Sequence, residues 1–303
     1  MSERRQEHAA LVALLRDLPK GKSWGVVTER VLECGSALEV WRRDHAEALI
    51  PDPHAVESLA AAGKDLQSWE DAGWQFLAIL DADYPARLRE IHQAPPFLFA
   101  AGDLRTDDPA IAVVGSRAVS DAGKRAATAA AELADRQITV LSGLAAGVDA
   151  AAHSAALEAG GRTVAIIGTG IAKSYPAANK SLQRDVIARG LVLSQFWPDA
   201  PPQPHHFLMR NAVMSGYGLA TIVVEAGEKS GARAQARMAV EHGRPVVLTD
   251  HVVDRNDWAK RLLDRPGVYV ASSLADIIAL VDRVLARDTR VGDLIEELLG
   301  VGP

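Results

Sequence analysis

From about residue 110 onward, short apolar segments alternate with longer segments of helical composition, and this alternation constrains the fold more than any other feature. Strands of a parallel sheet are buried on both faces, so they appear as short apolar runs that helical crossovers must connect. The alternation therefore predicts an α/β fold, with a mostly parallel sheet and helices on both of its faces. The predicted strands span residues 111–114, 138–141, 163–167, 191–193, 221–224, 245–248 and 268–270.

The first part of the chain follows a different pattern, in which apolar residues recur at helical spacing between prolines and glycines. Leu11, Leu14 and Leu18 form the apolar face of a first helix, for example. Short helices of this kind form a bundle by packing their apolar faces together. We predict a small helical domain over residues 1–72 and a sheet domain over 73–288. Further helices are predicted at 26–32, 38–50 and 54–62, short strands at 74–80 and 97–100, and a short C-terminal helix at 289–303.

Charge and cysteine content exclude several classes of protein. The 33 basic and 39 acidic residues give a net charge of −6, which excludes a uniformly basic nucleic-acid coat but allows a local basic patch. The single cysteine, Cys34, cannot form an internal disulfide or a cysteine-based zinc cluster. No apolar run approaches the roughly 20 residues that a membrane-spanning helix needs, and no signal-peptide core is present. We therefore expect a cytoplasmic protein without a membrane partner.

Three predicted strands end in glycine-rich loops, at residues 115–117, 142–147 and 168–170. Because the carboxyl ends of parallel strands meet at one edge of the sheet, these loops are expected to lie together. Glycine lets the backbone approach a ligand closely, and the N-termini of the following helices favour phosphate. Arg117 adds a positive charge to the first loop. The three loops together favour phosphate binding, while tight strand-to-helix turns remain the structural alternative for each one.

Nucleotide fingerprints and catalytic groupings are weak in this sequence. The 168–170 loop lacks the third glycine of the nicotinamide motif, and no Walker A motif occurs, so we expect no cofactor. Asp149 and His153 stand four positions apart and form either a catalytic pair or a capping carboxylate beside a packed histidine. Glu225 ends a strand and could bind a ribose hydroxyl, act as a base or accept backbone N–H groups. His205 and His206 lack companion ligands at metal spacing.

Basic and aromatic residues are frequent near the predicted binding edge. The basic ones could contact the phosphates of a nucleic acid, and one or two aromatic ones could stack on its bases. Solvated helix faces are the alternative for Lys124, Arg125 and Arg237, and core packing is the alternative for the aromatic residues. The basic set is Arg117, Lys124, Arg125, Lys173, Lys180, Arg210, Lys229, Arg233 and Arg237, and the aromatic set is Tyr175, Phe196, Trp197, Phe207 and Tyr217.

An ordered series of motifs runs from Tyr84 to Gly243. It begins with Tyr-Pro at 84–85 and Pro-Pro-Phe-Leu-Phe at 95–99. It continues with Ile-Ala-Val-Val-Gly-Ser-Arg at 111–117, Ser-Gly-Leu-Ala-Ala-Gly-Val-Asp at 142–149, Gly-Thr-Gly at 168–170, Tyr-Pro at 175–176, Arg-Asn at 210–211, Glu-Ala at 225–226 and Ser-Gly at 230–231. No single motif is decisive, but the ordered set over about half of the chain resembles the DprA/Smf family, the DNA-processing protein A group.

The resemblance implies an extended Rossmann-like domain, preceded by a helical domain similar to a sterile-alpha-motif (SAM) domain and not followed by a winged helix. It implies a non-enzymatic protein that binds single-stranded DNA, protects incoming DNA, helps to load a RecA-type recombinase in natural transformation, and forms a homodimer. Arg117, Lys180 and Arg210 would contact phosphates. The full set of DNA- or phosphate-binding candidates is Gly115, Ser116, Arg117, Ser142, Gly143, Gly147, Gly168, Gly170, Lys180, Arg210, Asn211, Lys229, Ser230, Gly231 and Arg233; no catalytic or metal-binding residue is expected.

The sequence departs from the family pattern on the predicted binding edge. Ala212 stands where a second basic residue is usual, and residues 232–236 and 249–251 replace two further family motifs. Arg233 and Arg237 are candidates to replace the lost charge. A nucleotide-binding sensor or nucleotide-hydrolysing relative of the same fold is the alternative function, although the Pro-Gly-Gly-x-Gly-Thr stretch of the related phosphoribohydrolases is absent. A pure interaction scaffold is the third possibility.

Overall fold

The computed structural model describes residues 2–19, 21–45, 52–117 and 121–299, and its centre is a nine-stranded sheet. The strands from residue 110 onward are parallel to one another, whereas the first two pair antiparallel at one side of the sheet. The strands are β1 (Gln75–Ala78), β2 (Phe97–Gly102), β3 (Ala110–Val114), β4 (Thr139–Ser142), β5 (Thr163–Ile166), β6 (Leu191–Ser194), β7 (Ala220–Val223), β8 (Val246–Thr249) and β9 (Val268–Ala271). The predicted α/β class with a mostly parallel sheet is confirmed.

The order of the strands in the sheet is β1-β2-β6-β5-β4-β3-β7-β8-β9. After β3 the chain builds the sheet outward through β4, β5 and β6, and then returns to the other side of β3 with β7. In this register Ile111 of β3 is paired with Val140 of β4, and Val113 is paired with Ile222 of β7. The loops that follow β3 and β7 therefore leave in opposite directions and open a crevice at the carboxyl edge of the sheet, which is where ligands bind in folds of this type.

Helices cover both faces of the sheet. One face packs against α8–α11 and a short 3-10 helix (Ala86–Glu90). The other packs against α5, α6 and α12 around β3 and β7, and against α1–α4 and α7 around β2 and β6. The helices are α1 (Glu3–Arg16), α2 (Trp24–Cys34), α3 (Ala37–Asp44), α4 (Pro53–Asp71), α5 (Asp121–Asp135), α6 (Val148–Glu158), α7 (Lys180–Arg189), α8 (Pro204–Tyr217), α9 (Gly231–Glu241), α10 (Asp250–Arg255), α11 (Asp257–Leu262) and α12 (Leu274–Leu299).

The first four helices share an apolar cluster with the sheet. Trp69 of α4 lies 4.8 Å from the Phe99 ring of β2, measured between ring centroids, and both belong to the same buried cluster. The predicted boundary at residue 72 falls between α4 and β1. Each of these four helices begins after an N-cap residue, whose side chain accepts a hydrogen bond from a backbone N–H of the first turn. These N-cap residues are Ser2, Ser23, Ser36 and Asp52.

Three helix boundaries differ from the prediction. The fourth helix, predicted to end at residue 62, continues through Gly63 to Asp71. The third helix ends at Asp44, and the remainder of the predicted segment, residues 46–50, lies outside the described residues. The predicted short C-terminal helix is wrong as a separate element, because α12 begins at Leu274 and continues without interruption to Leu299. No proline interrupts this segment, and its one glycine, Gly292, costs only about 1 kcal/mol in a helix. Among the described residues, no helix is long and apolar enough to cross a membrane.

Candidate nucleic-acid interface

A cleft of about 540 Å³ lies at the carboxyl edge of the sheet, where the loops after β3 and β7 separate. The first turns of α8 form its third wall. The cleft lies at strand ends where glycine-rich loops were predicted: the loop after β3 lines it through residues 115–117, and the loop after β4 through Ala145, whereas the 168–170 loop does not line it. The predicted site residues that line the cleft are Gly115, Ser116, Arg117, Arg210, Asn211, Lys229, Ser230 and Gly231.

Two exposed cations lie on opposite sides of this cleft. Arg117 follows β3 and Lys229 follows β7, and neither forms an ion pair with a carboxylate of the described residues. The Arg117 guanidinium lies 5.4 Å from the centroid of the Phe207 ring, a cation–π arrangement that orients the side chain without neutralising its charge. Both positive charges are therefore available to an anion in the cleft.

Arg210 of α8 is buried beneath the cleft and does not extend into solvent. Its Nη1 group donates hydrogen bonds to the carbonyl oxygens of Gly143, at 2.5 Å, and Ile166, at 2.8 Å. Burial lowers the pKa of this guanidinium. A Cβ atom at position 143 would overlap the guanidinium, so glycine is required there for the close approach. The Nη1 group of Arg210 therefore holds the loop after β4, and the phosphate contact of this arginine, which also lines the cleft, stays a prediction.

Asp149 and His153 also have structural partners. The Asp149 carboxylate accepts the backbone N–H groups of Gly143, at 3.2 Å, and Ala145, at 3.3 Å, in the loop before α6. Burial raises the pKa of this carboxyl, and the nearby Arg210 guanidinium acts in the opposite direction. Burial also lowers the pKa of His153 to about 3, so its imidazole is neutral, and its Nδ1 atom is 2.6 Å from Thr163 Oγ1. This arrangement matches the alternative in which Asp149 is a capping carboxylate and His153 is a packed histidine.

The other predicted glycines act by packing. Gly147 has a φ of +79°, and a Cβ atom there would overlap the carbonyl oxygen of Ser116, which accepts the N–H of Val148 at 3.1 Å. The left-handed backbone at Gly147 thus joins the loops after β3 and β4. Gly168 lies against the Phe207 ring, and Gly170 lies against the carbonyl groups of residues 197 and 198. These glycines shape the edge of the sheet, as the tight-turn alternative describes.

Of the remaining predicted residues, Lys180 is exposed, whereas Ser142 and Arg233 form hydrogen bonds within the protein. Lys180 is exposed at the start of α7 and forms no ion pair with a described carboxylate. Ser142 is buried, and its hydroxyl donates to the carbonyl oxygen of Val113 at 2.7 Å. Arg233 donates to the carbonyl oxygen of Glu228 at 2.6 Å and lies 3.8 Å from the carboxylate of the same residue.

The hypothesis that Arg233 and Arg237 replace the lost charge therefore has little support. Arg237 lies 3.6 Å from the carboxylate of Glu241 on α9, so both arginines are near glutamates. Ala212, which stands at the position of the missing basic residue, is buried in α8. Among the described residues that line the cleft, Arg117 and Lys229 are the exposed cations without an ion pair.

Sequence reasoning missed an apolar surface beside the cleft. Leu208 and Met209 are exposed on α8, at 49% and 40%, and Leu208 lines the cleft. Tyr175, in the loop after β5, is 44% exposed, and its ring centroid is 5.6 Å from that of Phe207. Residue type alone predicts burial for Leu208 and Met209. Because the buried face of α8 includes the polar residues His206 and Arg210, the apolar pattern of the sequence did not indicate that 208 and 209 face outward.

The other aromatic candidates are core residues. Phe196 and Tyr217 are both buried, and Trp197 packs among the aromatic rings of the N-terminal helices and β2. Of the candidate set, only Tyr175 and Phe207 lie near the cleft. In the described ranges, no group of His, Cys, Asp and Glu side chains is placed to hold a metal ion.

Comparison with known sequences identifies relatives over the sheet domain. The family model described as DNA recombination-mediator protein A matches residues 75–282. DNA processing protein DprA of Streptococcus pneumoniae is 39% identical over 204 residues, which cover 67% of this chain and 72% of the relative. Protein Smf of Synechocystis is 38% identical over 187 residues, which cover 60% of this chain and 47% of the relative. The chain thus spans about half to three quarters of the length of these relatives.

Solved structures show the same architecture. The X-ray structure of DNA processing protein A from Streptococcus pneumoniae matches with a TM-score of 0.69 at 31% identity, and the match covers 91% of this chain and 95% of that one. DNA processing protein A from Helicobacter pylori, described for its single-stranded DNA binding mode, matches with a TM-score of 0.61 over 71% of this chain and 96% of that one, and at 23% identity supports the fold. The chain belongs to the DNA recombination-mediator protein A family, whose curated relatives carry the names DprA and Smf.

Proposed function

We propose that this chain is a DNA-processing protein that binds single-stranded DNA in the cleft at the carboxyl edge of its sheet. The observation that carries the proposal is the placement of Arg117 and Lys229 on opposite sides of one cleft, both exposed and neither paired with a described carboxylate. A nucleic-acid backbone supplies negative charges at regular spacing, so two such cations can bind successive phosphates. No acid or base is needed for this function.

The cleft also provides backbone groups for a phosphate. The N-terminus of α9 opens into it at Gly231, and the helix dipole favours an anion at that end. Lys180 adds a further exposed cation at the start of α7. The preceding residue, Asn179, joins this segment to the loop after β4 by donating to the carbonyl oxygen of Leu144 at 2.9 Å. We propose that the strand passes along this edge from Lys180 toward Lys229.

The apolar surface beside the cleft explains a preference for single strands. Tyr175, Phe207 and Leu208 lie next to the cation at Arg117, and aromatic side chains stack on unpaired bases in proteins that bind single strands. Bases in a duplex are already stacked and paired, so they cannot use this surface. The phosphates would lie on the side of the loops after β3 and β7, and the bases on the side of α8.

Further parts of the proposal rest on family membership. We infer that the protein protects incoming single strands and helps to load a RecA-type recombinase during natural transformation. We also infer a cytoplasmic location and a homodimer.

The test is the binding of labelled single- and double-stranded oligonucleotides by fluorescence anisotropy. The charge reversal Arg117→Glu should weaken single-strand binding about tenfold or more, because it removes a phosphate contact and adds a repulsion. The reversal Arg42→Glu, at an exposed arginine of α3 far from the cleft, is the matched control. Unchanged binding by Arg117→Glu would overturn the site, and absence of binding by the unmodified protein would favour a small nucleotide as the ligand of the cleft.

A further inference from the structure

A second basic cavity lies at the opposite edge of the sheet. It has a volume of about 290 Å³ and is bounded by the segments that precede β7 and β8, by β9, by the 3-10 helix and by α12. Its charged lining consists of Arg87, Arg244, Arg283 and Arg287 with Glu90 and Asp288. The four guanidinium groups outnumber the carboxylates of Glu90 and Asp288 and of Asp107, which pairs with Arg87, and make a local positive site in a chain whose net charge is −6.

Two of the four arginines are engaged by carboxylates. Arg87 donates to the Asp107 carboxylate at 2.9 Å, and Arg244 donates to the Glu90 carboxylate at 2.6 Å. Asp288 lies 3.9 Å from Arg87 as well. Arg283 and Arg287 are exposed and have no carboxylate partner among the described residues. The four arginines and the carboxylates of Glu90, Asp107 and Asp288 leave one net positive charge at this cavity, and two of the arginines have no direct ion pair.

The two unpaired arginines are arranged to act together. They stand four positions apart on α12, so they share one face of that helix. The Arg283 guanidinium lies 5.3 Å from the centroid of the Tyr269 ring. An arginine that stacks on an aromatic face keeps its in-plane N–H groups free for a planar or tetrahedral anion, and it loses less freedom when the anion binds.

The lining also contains an apolar portion. Leu219, Leu280 and Val284 form part of the wall beside the arginines. A site for inorganic phosphate alone would not need an apolar wall, whereas a phosphate ester places a sugar or a base there. The volume is close to the lower end, about 300 Å³, of cavities that hold small ligands.

We propose that this cavity binds a mononucleotide-sized phosphate ester, with the phosphate held by Arg283 and Arg287 and the remainder against the apolar wall. Guanidinium groups bind phosphate with paired, charge-assisted hydrogen bonds, which suits two arginines on one helix face that have no ion pair with a described carboxylate. This site is separate from the proposed DNA cleft, because the cleft lies at the carboxyl ends of the strands and the cavity at their amino ends. The inference does not depend on DNA binding.

The test is isothermal titration calorimetry with deoxyadenosine monophosphate, using the full chain with the Arg117→Glu substitution to suppress binding in the cleft. We expect saturable binding that Arg283→Gln and Arg287→Gln each weaken about tenfold or more, as expected for the loss of a charged hydrogen-bond donor. Both side chains are exposed, so the thermal unfolding midpoint should not change. Lys64→Gln, at an exposed lysine of α4, is the control and should bind as before.

Deoxyadenosine and inorganic phosphate complete the experiment. If deoxyadenosine and inorganic phosphate each bind more weakly than the monophosphate, the site recognises both the phosphate group and the nucleoside attached to it. Equal binding of deoxyadenosine would overturn the role of the arginines, and equal binding of inorganic phosphate would overturn the role of the apolar wall. Absence of saturable binding, or binding that survives both Arg→Gln substitutions, would overturn the site.

Discussion

Arg210 in α8 and Gly143 after β4 occupy each other's space: the guanidinium of the first donates to the carbonyl oxygen of the second and fills the position of its missing side chain. The two residues are 67 positions apart in the sequence. Their contact fixes α8, which forms one wall of the cleft, against the loop after β4. Arg210, which the sequence suggested as a phosphate-binding residue, thus supports one wall of the cleft through its contact with the loop after β4.

This contact predicts a large effect of Gly143→Ala. The new methyl group would displace a buried guanidinium from its two carbonyl acceptors, so the free energy of unfolding should fall by about 3 kcal/mol. Urea denaturation measures this change. Gly227→Ala is the matched control, because a Cβ atom there meets nothing within 4 Å, and it should be nearly neutral. A loss no larger in Gly143→Ala than in Gly227→Ala would show that the loop adapts freely.

The apolar surface predicts a specific effect of Tyr175→Ala. Loss of one stacked base should lower affinity for single-stranded DNA about tenfold and leave the affinity for a duplex unchanged. The salt dependence should also stay the same, because no phosphate contact is removed. Tyr269→Ala, at a similarly exposed tyrosine on the opposite edge, serves as the control. An equal loss for single and double strands would contradict base stacking at Tyr175.

The phosphate contacts predict a change in salt dependence. Lys229→Gln should reduce the slope of log affinity against log salt by about 0.7, the value for one single-strand phosphate. Lys180→Gln should have the same effect, and the double substitution should reduce the slope by the sum of the two. Lys64→Gln should leave the slope unchanged. Binding measured across a salt series gives the slopes, and an unaltered slope in both single variants would remove these lysines from the interface.

The attachment of α1 to the sheet predicts a pH dependence of stability. Burial alone would raise the pKa of the Asp81 carboxyl, but hydrogen bonding to His8 Nε2 at 2.8 Å, the backbone N–H of Ala78 and the charge of Arg4 lower it below its usual value. A carboxyl whose pKa is lower in the folded state stabilises the fold above its unfolded pKa, about 3.9, and loses that contribution as the pH falls through the folded pKa.

The substitution Asp81→Asn tests this relationship. It should lower the free energy of unfolding by about 2 kcal/mol near neutral pH. The difference from the unmodified protein should shrink as the pH falls below about 4, where both forms carry a neutral side chain. Urea midpoints at a series of pH values give the difference. Asp83→Asn, at a more exposed carboxylate that also contacts Arg4, should have a smaller effect. A difference that is independent of pH would exclude the ionised form of Asp81 as its cause.

The sequence pattern predicted the class of the fold well, because short apolar runs between helices have few alternative structures. It could not predict the strand order, since the alternation is the same whichever side of β3 the chain returns to. The position of the cleft depends on that order: the loop after β7 lies beside the loop after β3 only because the two strands are neighbours.

Single residues were harder to predict than elements. The resemblance implied that Arg210 contacts a phosphate, but its side chain is buried, and the two carbonyl acceptors at Gly143 and Ile166 compensate that burial. Leu208 was not among the predicted site residues, yet it is exposed on α8 and lines the cleft, although leucine is usually buried. In both cases tertiary packing overrides the tendency of the residue type.

The location of the DNA is the central claim, and amide hydrogen exchange with and without a single-stranded oligonucleotide tests it most directly. We predict protection of the loop at 115–117, of residues 227–231 and of the first turn of α9, with no protection at the amino edge of the sheet. Protection confined to residues 243–245 and α12, or no protection at saturating DNA, would contradict binding in the cleft.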